Sequence, residues 1–143
     1  MKLIILSILL MLITNSAVYT EEQYTRVGLA FLGTATLSLS VEHHIGDMSV
    51  RMNLGFLWGK VFTPAISVNR YVGSLYTGIG VWNHIDLSNK QWYKNTSHFL
   101  NIPVGLDGRF GNGHALGAEV DLNYNMVSKE YLPFPGVYYK YRL

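Results

Sequence analysis

Hydrophobic and polar residues alternate along most of this chain with a period of two. In the stretch "TATLSLSVEH", Leu37, Leu39 and Val41 occupy one face, while Ser38, Ser40 and other polar residues occupy the other. Successive side chains of a strand point in opposite directions, so this alternation is typical of β-strands with one apolar face. After about residue 20 the helical period does not appear. The pattern therefore predicts an all-β protein.

The alternation recurs eight times, and turn residues interrupt it each time. The predicted strands cover residues 25–32, 34–43, 48–58, 61–71, 74–84, 97–110 and 114–125, followed by a C-terminal strand in "PGVYYKYRL". Pro64 and Pro103 fall inside predicted strands, and proline cannot donate to a ladder, so we expect them to mark bulges. Strands of about ten residues match the roughly 9–11 needed to cross a bilayer at a tilt.

The composition of the two faces indicates which one is outside. A soluble barrel presents Lys, Glu and Asp to water. Here the polar face is mainly Ser, Thr, Asn, Gly and Ala, and charged residues make up only 14% of the chain. Such a face suits the narrow interior of an eight-stranded barrel, and the Leu, Val, Ile and Phe face suits lipid. The sequence thus predicts a closed antiparallel up-and-down transmembrane β-barrel of about eight strands.

The few charged residues on the polar face nearly balance. Because buried charges persist only when they are paired, we expect them to form an interior network that plugs the barrel. The predicted lumen charge network comprises Glu42, Arg51, Asp107, Glu119, Asp121, Lys140 and Arg142.

The N-terminus predicts a cleaved secretory signal peptide. "MKLIILSILLMLITNSA" has one Lys, then an apolar run that is shorter than the roughly 20 residues of a membrane-spanning helix, then small and polar residues. We assign residues 1–20 to this signal, with cleavage somewhere between Ser16 and Thr20. Residues 21–143 then form the barrel domain. The 143-residue chain has no cysteine, and its net charge of +2 is too mild to indicate nucleic-acid binding.

Connection lengths predict the topology. With eight strands both termini lie on one side, where the turns "HIGD", "VG" and "GNG" are short, while the two longest connections, residues 85–96 and 126–135, lie on the other side. The first of these carries Lys90, Trp92, Tyr93 and Lys94. Aromatic groups beside cations are enriched at binding surfaces, but they also anchor barrels at the lipid interface, and the sequence leaves both roles open.

The signal pattern, "LNIPVGLDGRFG" and the terminal "PGVYYKYRL" resemble small outer-membrane β-barrel proteins of Gram-negative bacteria, the eight-stranded OmpA/OmpX-like class. The resemblance implies an integral outer-membrane protein with both termini in the periplasm, in contact with outer-membrane lipid and lipopolysaccharide. In that class the barrel-insertion machinery reads the terminal strand, which usually ends in Phe. Here the strand ends in Leu143.

No catalytic, cofactor or metal site is predicted. Some barrels of this size modify lipids, but the H-x-S spacing of the lipid A deacylases is absent, and the adjacent Ser97 and His98 point to opposite faces of a strand. We therefore expect a non-enzymatic barrel with a structural role or a binding role in its outer loops, whose ligand is unknown. Two alternatives stay open: a membrane-embedded lipid-modifying enzyme, and a secreted lipocalin-like barrel for a small apolar ligand.

Overall fold

The alternating segments fold into strands that pair only with their neighbours in sequence until the last strand meets the first. A computed structural model describes residues 22–88 and 96–143. Its strands are β1 Gln23–Leu32, β2 Leu37–Ile45, β3 Met48–Leu57, β4 Val61–Val72, β5 Leu75–Asp86, β6 Thr96–Phe110, β7 His114–Asn125 and β8 Tyr131–Arg142. All pairs are antiparallel and β1 pairs with β8, so the predicted closed eight-stranded up-and-down barrel is confirmed.

The pairing register sets the tilt of the strands. From Arg26 the partners run through Glu42, Arg51, Ser67, Gly80, Asn101 and Asn123 to Leu132 on β8. Across the closing seam, however, Arg26 pairs with Arg142. The register is therefore displaced by ten residues around the barrel. For eight strands this displacement corresponds to a tilt of about 40° from the barrel axis.

Some predicted strand boundaries are wrong at the turns. The second strand begins at Leu37 rather than at residue 34, because residues 33–36 turn and Gly33 adopts a φ of 78°. The eighth strand begins at Tyr131, so the second long connection contains residues 126–130 and not 126–135. Tyr131 and Phe134 consequently belong to the wall of the barrel and not to a loop.

The prediction of bulges at Pro64 and Pro103 is also wrong. Pro64 pairs with Leu54 and Pro103 with Asp121 in uninterrupted registers. Each proline instead lies at a gap in the pairing with its other neighbour, β5, and the registers on either side of each gap agree. The missing N–H removes a ladder bond without inserting an extra residue.

The two ends of the barrel differ. We call the end where β1 begins and β8 finishes the terminal end, and the opposite end the loop end. The hairpin turns at the terminal end are short, with glycines of positive φ at positions 46, 73, 111 and 113. At the loop end, β5 and β6 are joined by the longest connection in the chain, which includes residues outside the described ranges. In the described parts of the chain, no helix is long and apolar enough to cross a membrane.

Candidate functional site

The inward face of the wall is polar and the outward face is apolar. On β2, for example, Ser38, Ser40, Glu42 and His44 are buried, while the alternate residues are exposed. In the outward-facing positions of the eight strands, Arg70 is the one residue with a formal charge, and its Nε donates to Asp47 of the β2–β3 turn at 2.9 Å. The polar and charged residues that could form a functional site therefore lie mainly in the interior of the barrel.

Glu42 is the centre of the ionic network near the terminal end. It is fully buried, and its carboxylate accepts hydrogen bonds from Lys140 Nζ at 2.8 Å and from Ser49 and Tyr71 hydroxyls at 2.7 Å each. His44 Nε2 lies 3.4 Å from the same carboxylate. Lys140 Nζ also lies 4.1 Å from the centroid of the Tyr138 ring. Four strands of the wall are thus connected through one carboxylate. These partners compensate the charge of Glu42, which would otherwise be costly to bury.

Asp107 pairs with a cation that the sequence prediction missed. Arg26 Nη1 donates to Asp107 Oδ2 at 2.6 Å, and both side chains are almost fully buried. The predicted charge network does not include Arg26, although its position between Val27 and the preceding outward residue of β1 places it on the inward face. The parity of the strand is the signal that could have identified it.

The middle of the interior contains a second ion pair and an unpaired carboxyl. Arg51 Nη1 donates to Glu119 Oε2 at 2.8 Å, and the Tyr76 hydroxyl donates to the same oxygen. Asp121 is also buried, but it accepts a hydrogen bond from the neutral side-chain amide of Asn101, at 3.1 Å. Among the described residues, no Lys, Arg or His nitrogen lies within ion-pair distance of Asp121.

Arg142 lies apart from the other predicted members of the network. Glu42, Arg51, Asp107, Glu119, Asp121 and Lys140 all line the interior. Arg142 instead lies at the mouth of the terminal end, where its guanidinium pairs with Glu22 at 2.5 Å and lies 4.3 Å from the ring centroid of Tyr24. Its side chain is partly exposed because β8 ends there.

Aromatic side chains fill the interior toward the loop end. The rings of Trp82 and Phe99 stack with centroids 4.1 Å apart, and Phe134 meets Trp82 edge-on at 6.2 Å. Trp82 Nε1 donates to Asn123 Oδ1 at 2.6 Å, so the indole N–H is satisfied in this buried position. These rings cover the charged layers below them.

Two glycines make room for tyrosine rings in the interior. A Cβ built on Gly105 would lie 2.4 Å from Tyr76 Cζ, and one built on Gly117 would lie 2.3 Å from Tyr138 Cζ. Both distances are far below van der Waals contact, so the wall must be bare at these points for the rings to lie flat against it. An internal cavity that Asp121, Glu119 and Arg51 help to line has a volume of about 10 Å³. That is room for about one water molecule.

The outward face carries two belts of aromatic side chains. Phe56, Trp58, Phe62, Tyr124 and Tyr131 lie toward the loop end, and Phe110, Tyr139 and Tyr141 lie toward the terminal end. Between the belts the outward positions are almost all Leu, Val, Ile and Met.

The remaining predicted candidates do not form a reactive site in the described part of the chain. Ser97 and His98 diverge, and His98 Nδ1 lies 2.6 Å from Asn83 Oδ1 on the outward face. Among residues 22–88 and 96–143, no group of three or more His, Cys, Asp or Glu could hold a metal ion. The predicted signal peptide and the loop residues Lys90, Trp92, Tyr93 and Lys94 lie outside the described residues.

Comparison of the chain with protein-family models, with curated proteins and with solved structures gives no match in any of the three.

Proposed function

We propose that this protein is an integral β-barrel of the bacterial outer membrane whose interior is filled, and whose role is structural or is carried by its outer loops. The observation that carries the proposal is the reversed polarity of the wall. Met52, at an outward position, is 54% exposed, whereas the carboxylate-bearing Glu42 is 0% exposed. A chain that folds in water buries the first kind of residue and exposes the second, whereas lipid favours the reverse.

The spacing of the aromatic belts supports the same proposal. Tyr131 and Tyr141 are ten residues apart on β8. With a rise of about 3.3 Å per residue and a tilt of about 40°, they are separated by about 25 Å along the axis. This is the height of the lipid-facing band of outer-membrane barrels, which aromatic residues flank at both interfaces. Ring closure also pairs each strand with neighbours on both sides, apart from the loop-end part of β8, so most backbone groups of the wall are satisfied without water.

In this proposal the terminal end faces the periplasm and the loop end faces the outside. Outer-membrane lipid and lipopolysaccharide surround the wall, and the barrel-insertion machinery reads β8, whose outward residues Val137, Tyr139 and Tyr141 are exposed. The interior pairs Glu42–Lys140 and Arg51–Glu119 serve to hold the wall closed and not to conduct. The proposal includes no enzymatic activity.

No comparable structural observation supports the two alternatives, a lipocalin-like carrier and a lipid-modifying enzyme. A lipocalin-like carrier needs an apolar cavity of ligand size, commonly about 300–1,000 Å³. The interior cavity described above is about 10 Å³ and is lined largely by polar residues such as Ser38, Ser40 and Asn53. A lipid-modifying enzyme needs a nucleophile beside a base, and Ser97 and His98 diverge.

Membrane fractionation tests the proposal. We expect the full chain, expressed in a Gram-negative host, to sediment with the outer membrane, to resist extraction with alkaline carbonate and to require detergent for release. The extracted protein should migrate differently on gels before and after boiling, because a closed barrel resists detergent unfolding. Release by carbonate, or recovery in the soluble periplasmic fraction, would contradict membrane integration.

A further inference from the structure

The seam between β8 and β1 is incomplete toward the loop end. β8 contains twelve residues, but β1 pairs with it only from Gly136 to Arg142. Residues 131–135 of β8 pair with β7 alone, because β1 ends at Leu32 and the chain turns away. The last contact across the seam is the hydrogen bond from Gly33 N to Pro135 O, at 2.8 Å.

Prolines occupy the open edge. The bond from Gly33 shows that the backbone of Pro135 faces β1, and alternate residues of a strand direct their polar groups to the same side. Pro133 therefore faces the open edge as well. Neither residue has an N–H, so this edge offers no donor at positions 133 and 135. Prolines at such positions block the addition of another strand.

An apolar groove leads along the outer wall to this seam. It has a volume of about 510 Å³, and its lining includes Leu106, Val120 and Val137, with the small Ala118 between them and Leu32 and Pro135 at its loop-end limit. Neighbouring outward positions carry Leu or Val, so the small side chain of Ala118 creates a depression in an otherwise even surface. The volume is within the range of ligand sites, commonly about 300–1,000 Å³.

We propose that this groove holds one acyl chain of an outer-leaflet lipid, which lies over Ala118 and ends at the proline edge of the β8–β1 seam. An acyl chain is long and apolar, so it matches the lining of the groove, and it makes no use of the donors that Pro133 and Pro135 lack. A further β-strand is disfavoured because it would need the two donors that the prolines lack. The inference rests on the proposed function, since it requires the outward face to contact lipid.

Photo-crosslinking tests this inference. The full-length barrel would be refolded into phosphatidylcholine vesicles that contain a small fraction of phosphatidylcholine with a diazirine in one acyl chain, and the labelled residues would be mapped by mass spectrometry. We expect several-fold more label on the groove residues Leu106, Val120 and Val137 than on outward residues of β4. Ala118→Phe should remove that excess, whereas Val68→Phe, which enlarges an outward residue three strands away, should preserve it.

The outcomes separate this inference from the proposed function. Uniform labelling around an inserted barrel would overturn the groove assignment and leave membrane integration intact. Crosslinks between two copies at Ala118 would also overturn it, since a second chain would then fill the groove. A chain that stays outside the vesicles would instead contradict the proposed function. If Ala118→Phe does not fold, Ala118→Leu provides a smaller filling of the groove, and loss of the excess is again expected.

Discussion

Lys140 on β8 donates a hydrogen bond to Glu42 on β2 at 2.8 Å, although 98 positions separate the two residues in sequence. The pair spans β1, which lies between the two strands and leaves space there through Gly28: a Cβ at Gly28 would lie 2.7 Å from Lys140 Cγ. Glu42 and Lys140 therefore pair only when the ring of strands closes.

Removal of Lys140 should destabilise the barrel strongly. Lys140→Met leaves the Glu42 carboxylate buried without its cation, and we expect a loss of about 3–5 kcal/mol in the free energy of unfolding. Urea titration of the refolded protein in vesicles measures it. Lys140→Met combined with Glu42→Gln should recover much of the loss, because no uncompensated charge remains. The matched control is Arg142→Met, whose partly exposed pair should contribute less than about 1 kcal/mol. Equal losses for the two single variants would contradict a buried network.

A charged residue introduced on the outward face should destabilise the barrel, whereas a substitution at the adjacent inward position should not prevent insertion. Val120 points outward near the middle of β7, so Val120→Arg should cost about 2–4 kcal/mol if that face contacts the bilayer centre. Asp121→Asn, one residue along and inward, should leave insertion intact. The measurement is insertion into vesicles followed by urea unfolding. A harmless arginine at position 120 would mean that this face contacts water.

Substitution of a wall glycine should disturb the packing of the interior tyrosine rings. Gly117→Ala places a methyl group against both the ring of Tyr138 and the backbone carbonyl oxygen of Leu106, and we expect a loss of about 1–3 kcal/mol from overpacking. The cycle of Gly117→Ala and Tyr138→Leu, singly and together, measures the coupling. The loss caused by the alanine should shrink when the ring is absent. Additive losses would show that the approach to the Leu106 carbonyl, and not the Tyr138 ring, requires glycine at this position.

If the interior is filled, as proposed, the barrel should not conduct ions. The charged layers and the Trp82, Phe99 and Phe134 rings occupy the interior, and the cavity beside Asp121, of about 10 Å³, is too small for a hydrated ion path. In planar bilayers we therefore expect no stable steps of porin size from the purified protein. Reproducible large steps would show that the interior opens, in which case the ion pairs cannot be permanent.

The proposed topology places the long connection between β5 and β6 outside the cell. Protease added to intact cells should cut within residues 89–96, and cleavage only after the outer membrane is broken would reverse the topology.

Trp92→Ala with Tyr93→Ala then distinguishes the two roles left open for this loop. An anchoring role lowers thermal stability in detergent and preserves ligand capture by whole cells. A binding role gives normal stability and loss of capture.

The strands and the direction of their side chains were predictable because both depend on a local property. Alternation with a period of two assigns each residue of a strand to one face, so the inward position of residues such as Glu42, Asp107 and Lys140 follows from their neighbours alone. The same property predicted eight strands and a polar interior. It was less reliable at the ends of strands. Residues 33–36 continue the alternation of β2 although they form a turn, whereas residues 131–135 belong to β8 although they contain two prolines and no polar residue to alternate with.

The choice of partners within the interior was decided only by the tertiary structure. A displacement of ten residues around the ring determines which inward side chains share a height, and no short stretch of sequence contains that quantity. It places Arg26 against Asp107, gives Lys140 to Glu42 and leaves Asp121 without a cation. It also determines that β8 extends past the end of β1, which opens the seam at Pro133 and Pro135. The sequence by itself thus determined which face each residue occupies, whereas closure of the ring determined which residues meet, because contacts across the lumen exist only once all eight strands are in register.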